Sequence, residues 1–163
     1  MIAWIVEDVP LDAKRAANAV LSVAQQKFGN RHESHLELYW NRTIEWDPMP
    51  RLETLDGEKL SAPEDARHIA PQIVILDLFF DGQIFRGEEF LRALRHWELS
   101  QSVEVPSWVI LWSVRTGLKD VDHFLQEEPR RDRRVVSLKT KGDIALTEAV
   151  AGCWQSLEEE QYP

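Results

Sequence analysis

A residue capable of chemistry follows each of the most apolar segments of the sequence. Glu7 and Asp8 follow the first segment, Asp77 the second, Ser113 the third and Lys139 the fourth. Carboxylates placed side by side repel each other, by about 1 kcal/mol per pair at 4 Å in water and about 4 kcal/mol at an effective dielectric constant near 20. A cation should therefore accompany the three acids, and Mg²⁺ characteristically takes carboxylate, water and phosphate oxygens.

These residue types together can transfer a phosphoryl group. With a cation held by the acids, one carboxylate can act as the nucleophile toward phosphorus. The hydroxyl of Ser113 and the ammonium of Lys139 can then receive the transferred oxygens. The pattern predicts a magnesium-dependent phosphoryl-transfer site, provided that the fold brings the five side chains together.

The apolar segments themselves are typical of strands covered on both faces. Residues 2–6, 72–76, 105–112 and 134–138 are short and rich in branched apolar side chains, as in parallel sheets that have helices on either side. Residues 35–40 alternate between apolar and polar side chains, which indicates a half-covered strand near the edge of the sheet.

Predicted helices separate these strands. Apolar side chains recur mostly every three or four positions in residues 11–28, 87–99, 117–128 and 143–157, which predicts four helices with one buried face each. Alternating strands and helices predict an α/β fold with a doubly wound parallel sheet. Ligands bind such sheets outside the carboxyl ends of the strands, so the candidate side chains should meet at that edge.

The stretch at residues 41–60 is the least regular part of the chain. Two prolines and the turn Asp56-Gly57 divide it into short pieces, which predicts an extended hairpin inserted after the second strand. Ser61 is then placed to cap a short helix, with Glu64 as its capping-box partner.

Length, charge and cysteine content narrow the class of protein. Residues 1–163 are enough for one ordinary domain, so a single domain without an output domain is expected. The net charge of −9 argues against direct binding of nucleic acid. Cys153 is the only cysteine and no basic leader precedes the first strand, so a cytoplasmic protein is expected. The apolar runs are far shorter than the roughly 20 residues that span a membrane, so no membrane partner is expected.

The motifs and their order along the chain resemble those of the receiver domain of bacterial two-component response regulators, the CheY-like family. The resemblance covers most of the chain and rests on IVEDVPLDA (5–13), VILDLFFDG (74–82) followed by GEEFLRALR (87–95), VILWS (109–113) and VVSLK (135–139). No single motif is specific, but five in the correct order on the correct elements make a strong signal.

The resemblance implies a flavodoxin-like fold, with a five-stranded parallel sheet in the order 2-1-3-4-5 and helices on both faces. It also implies that Asp77 is the phosphoacceptor and a ligand of Mg²⁺. Asp8 would hold the metal directly, Glu7 would help through water, and the backbone carbonyl of Phe79 would supply another ligand.

Two further roles follow from the same resemblance. Ser113 would be the switch hydroxyl that moves onto the phosphoryl group, and Lys139 would be its ionic partner. Lys141 is a rival for this second role. Lys139 is preferred because it follows the apolar strand directly and precedes Leu146 by a spacing similar to that in the family.

The chain departs from the family pattern at several positions. Thr140 follows the lysine where proline is usual, and Val136 stands where an aromatic switch residue is usual. Val114 replaces a very small residue after the switch hydroxyl. Phe79 and Arg115 occupy positions that tune the lifetime of the phosphoryl group in the family.

The resemblance implies a signalling domain rather than an enzyme acting on an external substrate, although it would catalyse its own phosphorylation and dephosphorylation. Its partners would be a histidine kinase or phosphotransfer protein as phosphodonor and a downstream protein target, and a homodimer is possible. Two alternatives stay open. One is a degenerate receiver that binds proteins without being phosphorylated. The other is a magnesium-dependent phosphohydrolase or nuclease of another doubly wound family, such as the Toprim or haloacid dehalogenase type.

Overall fold

The computed structural model describes residues 1–29, 36–41, 70–80, 84–113 and 118–161. The predicted insertion at residues 41–60 lies outside the described residues except for Asn41, and the predicted short helix at Ser61 lies outside them entirely. The positions of Val114 and Arg115 are outside them as well.

The strands within the described ranges are β1 (Ile2–Val6), β2 (Glu37–Asn41), β3 (Ile73–Leu76), β4 (Phe79–Phe80), β5 (Ile84–Phe85), β6 (Trp108–Leu111) and β7 (Val135–Ser137). Five of them form one parallel sheet in the spatial order β2-β1-β3-β6-β7. Counting only these five along the chain, the order is 2-1-3-4-5. The flavodoxin-like, doubly wound α/β fold is therefore confirmed.

The helices are α1 (Pro10–Phe28), α2 (Gly87–Ser100), α3 (Lys119–Arg131) and α4 (Asp143–Gln161). All four predicted helices are present, with ends that differ from the prediction by a few residues. The first ends as predicted at Gly29, whose φ of 57° lies in the region that favours glycine.

Both faces of the sheet are buried because successive side chains of each inner strand point to opposite sides. On one side, Ile5 of β1 and Ile75 of β3 pack with the apolar faces of α1 and α4. On the other side, Trp4 and Val74 pack with α2 and α3. The edge strand β2 does not show the alternating burial that its sequence predicts: burial increases along the strand, from the exposed Glu37 to the buried Trp40 and Asn41.

A feature that the sequence did not predict is a small antiparallel hairpin between β3 and α2. It consists of β4 and β5, in which Phe79 pairs with Phe85. The ring of Phe85 also packs edge-on against Phe124 of α3, with 5.6 Å between centroids. Strands of two residues are too short to show a period of two, so the spacing of apolar residues does not predict this hairpin.

Among the helices that the structure describes, none combines the length and the apolar character needed to cross a lipid bilayer.

Candidate functional site

The backbone of β1 and β3 brings three predicted acids together. Val6 lies opposite Leu76 in the parallel ladder, so the residues that follow leave adjacent strands at the same level. The amide of Asp77 donates a hydrogen bond to the carbonyl of Val6 at 2.9 Å. One carboxylate oxygen from each of Glu7, Asp8 and Asp77 can be chosen so that all three lie within 4.8 Å of one another.

A largely buried lysine neutralises part of this negative charge. Glu7 is 1% exposed and Asp77 is 6% exposed. The Nζ atom of Lys141 lies 2.8 Å from Oε2 of Glu7 and 2.9 Å from Oδ2 of Asp77. It also lies 2.9 Å from Oδ2 of Asp12, an acid on the first turn of α1. One ammonium group therefore contacts three carboxylates.

The proton affinities of these groups reflect their burial and their charges. Burial, and next the negative charge of Asp77, raise the pKa of Glu7 to about 8, although its hydrogen bond with Lys141 acts in the opposite direction. Burial lowers the pKa of Lys141, but the hydrogen bond to Glu7 and the charge of Asp77 outweigh it, so the net pKa is raised. Burial raises the pKa of Asp12, but hydrogen bonds from Lys141 and Arg15 bring it below the ordinary value.

The structure places Lys141, and not the preferred candidate Lys139, beside the acids. Lys139 is exposed, and it forms no ion pair with any part of the chain that the structure describes. Lys141, the rival candidate, occupies the position beside the phosphoacceptor candidate. The amide of Leu138 still bonds the sheet, at 3.1 Å from the carbonyl of Leu111, and the chain then turns before it reaches the acids. Two residues, Lys139 and Thr140, make this turn before Lys141. The spacing to Leu146 alone does not show that the turn is there.

The two oxygens of Asp77 have different partners. Oδ1 accepts hydrogen bonds from the backbone amides of Leu78 at 2.6 Å and Phe79 at 3.4 Å. Oδ2 accepts from Lys141. The carboxylate is thus held in a defined orientation by its own loop and by one cation. The contribution of the Phe79 carbonyl to a metal site stays a prediction.

The start of α2 fixes the loop that carries Asp77. The amides of Arg86 and Gly87 both donate to the carbonyl of Leu78, at 3.0 and 3.2 Å. A Cβ atom on Gly87 would lie 2.4 Å from Cδ2 and 2.7 Å from Cα of Leu78. Only glycine allows this close approach of helix and loop.

Ser113 lies at the end of β6, the neighbour of β3. The preceding amide, that of Trp112, donates to the carbonyl of Leu76 at 3.0 Å, which anchors β6 beside the strand that ends in Asp77. Ser113 is 1% exposed, and its Oγ has no hydrogen-bond partner among the described residues. A buried hydroxyl normally has a partner, so this group is suited to accept or donate a bond to a ligand.

Two polar residues of the site, Asp12 and Arg15, were not identified from the sequence. A usable signal was present, because Arg15 follows Asp12 by three positions on the predicted helix at residues 11–28. Residues three positions apart share one face of a helix.

The donor set fits a hard divalent cation. Three carboxylate groups can offer oxygens within a small volume, and Mg²⁺ combines one or two such carboxylates with waters and substrate phosphate oxygens. Glu7, Asp8 and Asp77 would hold it, and it would supply charge neutralisation to a phosphoryl group. The same arrangement leaves Asp77, fixed by backbone amides and Lys141, as the candidate nucleophile.

Fold and site define a flavodoxin-like α/β domain with an acidic centre and a largely buried lysine at the carboxyl edge of its sheet. No protein-family model and no curated protein matches the chain. Among solved structures, it is similar to the N-terminal domain of a response regulator/sensory box/GGDEF 3-domain protein from Carboxydothermus hydrogenoformans, with 17% sequence identity and a TM-score of 0.44. The alignment covers 96% of this chain and 98% of that chain. A likeness at this level does not bear on function, which has to be inferred from the residues of the site.

Proposed function

We propose that the chain is a phosphoacceptor receiver domain that takes up a phosphoryl group on Asp77 in a magnesium-dependent reaction. The observation that carries the proposal is the convergence of carboxylate oxygens of Glu7, Asp8 and Asp77, two of which, those of Glu7 and Asp77, contact the ammonium of Lys141. These are the residue types that the resemblance to two-component receivers implies, and they meet where the inner strands of the sheet end.

In the proposed reaction, a carboxylate oxygen of Asp77 attacks the phosphorus of a phosphohistidine or acyl phosphate. A P–O bond to the carboxylate forms, and the bond from phosphorus to the donor nitrogen or oxygen breaks with its electron pair leaving on the donor. The ammonium of Lys141 is placed to stabilise negative charge on the transferred group. The hydroxyl of Ser113, which has no other partner among the described residues, is available to bond a phosphoryl oxygen.

The signal would follow from the added charge. A phosphoryl group brings up to two negative charges and three acceptor oxygens to a buried site. Ser113 and Lys141 would shift toward these oxygens, and the surface of the adjoining loops would change with them. The partners that this function requires are a histidine kinase or phosphotransfer protein and a downstream protein target. A cytoplasmic location and a homodimer stay predictions.

A phosphorylation-independent interaction module is the second candidate. It is favoured by the ammonium of Lys141, which offsets part of the negative charge of Glu7 and Asp77, and by Leu138, since the aromatic switch residue of the family lies three positions before the site lysine. The two candidates differ in one property, the ability of Asp77 to accept phosphate.

The test is intact-mass spectrometry of the purified chain incubated with Mg²⁺ and acetyl phosphate, or with a phosphorylated histidine kinase. The expected result is the addition of one phosphoryl group, which Asp77→Asn abolishes. Glu104→Gln removes a charge from an exposed position before β6, at the opposite edge of the sheet, and should leave phosphorylation intact. Failure of every donor to produce the mass shift would overturn the proposal in favour of the interaction module.

A further inference from the structure

The lysine of the site has one carboxylate partner that lies outside the candidate metal-binding acids. Glu7 and Asp77 belong to the group of acids whose oxygens can converge on a cation. Asp12 does not belong to this group, yet its Oδ2 lies 2.9 Å from Nζ of Lys141. Asp12 would therefore remain available to the ammonium if a cation were held by the other two carboxylates.

Arg15 holds both Asp12 and the backbone of Lys141. Its Nη1 donates to Oδ1 of Asp12 at 2.7 Å, and its Nη2 donates to the carbonyl oxygen of Lys141 at 3.1 Å. Its Nε donates to Oδ1 of Asp143, the first residue of α4, at 2.9 Å. One planar guanidinium thus joins α1, the loop after β7 and α4.

The ring of Trp112 limits the lateral freedom of both cations. Nζ of Lys141 lies 5.0 Å from the ring centroid, and Cζ of Arg15 lies 5.3 Å from it. The tryptophan is fully buried and directly precedes Ser113. The two cations therefore pack against a fixed aromatic surface beside the candidate switch hydroxyl.

A long lysine side chain otherwise samples many rotamers, and an ammonium displaced by about 1 Å stabilises a transferred phosphoryl group much less effectively. Asp12 holds the ammonium end of Lys141, and Arg15 holds its backbone end and orients Asp12. Both ends of the side chain are thereby restrained independently of the metal-binding acids.

We propose that Asp12 and Arg15 are positioning residues that hold the Lys141 ammonium against Asp77 for phosphoryl transfer. The inference rests on the proposed function, since it assigns a role within the same reaction. The competing explanation is that the ion pairs merely fasten α1 to α4.

The chain offers a matched control for the competing explanation. Lys27 near the end of α1 and Glu158 near the end of α4 form another ion pair between the same two helices, at 2.5 Å. Lys27→Gln removes that link without touching the site. If fastening of the helices were all that mattered, this variant and Asp12→Asn would have similar effects.

The first measurement is the rate of phosphorylation as a function of acetyl phosphate concentration at saturating Mg²⁺. Asp12→Asn and Arg15→Lys should lower the maximal rate by about tenfold or more, with little change in the half-saturating concentration. Arg15→Lys keeps the charge but not the planar fork, so its loss of rate would assign the effect to geometry. Lys27→Gln should stay within about twofold of the unmodified protein.

The second measurement is independent of phosphorylation. With ¹⁵N-labelled lysine, the Nζ resonance of Lys141 should be observable as a slowly exchanging ammonium, assigned by its disappearance in Lys141→Arg. It should persist when Mg²⁺ is added to the unmodified protein and be lost or strongly shifted in Asp12→Asn. An unchanged resonance in Asp12→Asn, or equal rate losses in Asp12→Asn and Lys27→Gln, would overturn the positioning role. Absence of phosphorylation in the unmodified protein would instead count against the proposed function, and the resonance would still decide whether Asp12 positions Lys141.

Discussion

Lys141 and Asp77 are joined by a bond of 2.9 Å between Nζ and Oδ2, across 64 positions of sequence. The lysine follows β7 at one edge of the sheet, and the aspartate follows β3 at its centre. Both side chains are largely buried, with relative exposures of 10% and 8%. A charged pair at this depth is strongly destabilised when one partner is removed, which makes its role measurable.

Replacement of Lys141 should therefore distinguish it from Lys139. In Lys141→Met, Glu7 and Asp77 lose their common cation, and the free energy of unfolding at neutral pH should fall by about 3–5 kcal/mol. Lys139→Met removes an exposed charge and should change it by less than about 0.5 kcal/mol. Urea denaturation in EDTA checks both values.

The same pair of variants tests the site in the presence of metal. Added Mg²⁺ should recover part of the stability of Lys141→Met, because a cation that binds only the folded state stabilises it. Phosphorylation should be strongly reduced in Lys141→Met and retained in Lys139→Met. Strongly reduced phosphorylation in Lys139→Met, with phosphorylation retained in Lys141→Met, would instead identify Lys139 as the site lysine.

Stability should fall as pH rises from about 5 to about 8 because of Glu7. The folded protein holds the Glu7 proton up to a pKa of about 8, whereas the ordinary value is 4.5. Between these values the folded state binds more protons than the unfolded state, so the free energy of unfolding decreases with pH. This contribution is fully present below pH 4.5 and is lost as pH passes through about 8.

Glu7→Gln should remove this pH dependence, since the amide does not titrate. The check is the difference in the free energy of unfolding between Glu7→Gln and the unmodified protein, measured in EDTA at several pH values. The difference should grow with pH. Parallel curves for Glu7→Gln would show that Glu7 is ionised throughout. Mg²⁺ affinity should rise over the same range, because metal and proton compete for the carboxylate.

A feature of the site is predictable from the sequence when neighbouring residues determine it, and is not predictable when a contact between distant residues determines it. Glu7 and Asp77 each follow a short apolar strand, and adjacent parallel strands end at one edge, so the pattern alone brings them together. The position of Lys141 depends on how a loop turns after leaving the sheet. That turn is fixed by a hydrogen bond from Arg15, 126 positions earlier, and no local pattern contains it.

The fold was predictable for the same reason. Each long helix and each inner strand carries its own periodicity, as in residues 87–99 of α2. The β4–β5 hairpin carries none, because it depends on the pairing of Phe79 with Phe85 and on the contact of Phe85 with Phe124. Contacts of this kind are tertiary and are not encoded in spacing.

Two glycines should respond in opposite ways to replacement by alanine. Gly87→Ala places a Cβ within 2.7 Å of the Leu78 backbone, so the start of α2 must shift away from the loop that carries Asp77. Overpacking of this kind typically costs about 1–3 kcal/mol. Gly152 lies within α4, and a Cβ there meets no atom of the described residues within 4 Å. Gly152→Ala should therefore stabilise the protein by about 0.5–1 kcal/mol.

The two glycine variants also separate stability from function. Gly87→Ala should slow phosphorylation of Asp77, whose carbonyl oxygen lies 3.1 Å from the added Cβ position, and Gly152→Ala should leave the rate unchanged. Thermal unfolding and the intact-mass assay provide the two readouts. Equal stabilities of the two variants would mean that the loop can move away from Gly87 without cost.

Ser113→Ala should leave the folded state at least as stable as before while impairing the response to phosphate. The Oγ of Ser113 is buried and has no partner among the described residues, so removing it eliminates a desolvated polar group rather than a hydrogen bond. If the hydroxyl bonds a phosphoryl oxygen, its loss should instead appear as a lower affinity for beryllium fluoride, a phosphoryl mimic, and as smaller amide shifts around residues 113 and 141.

Ser113→Thr is the matched variant, because it keeps the hydroxyl and adds only a methyl group. It should retain more of the beryllium fluoride response than Ser113→Ala, even if the extra methyl lowers stability by overpacking. The hydroxyl would be identified as a ligand group if Ser113→Ala keeps its stability but loses the beryllium fluoride response, while Ser113→Thr loses stability but keeps the response. A loss of stability in Ser113→Ala with an unchanged response would assign the serine to packing and leave Lys141 as the remaining candidate to receive the phosphoryl oxygens.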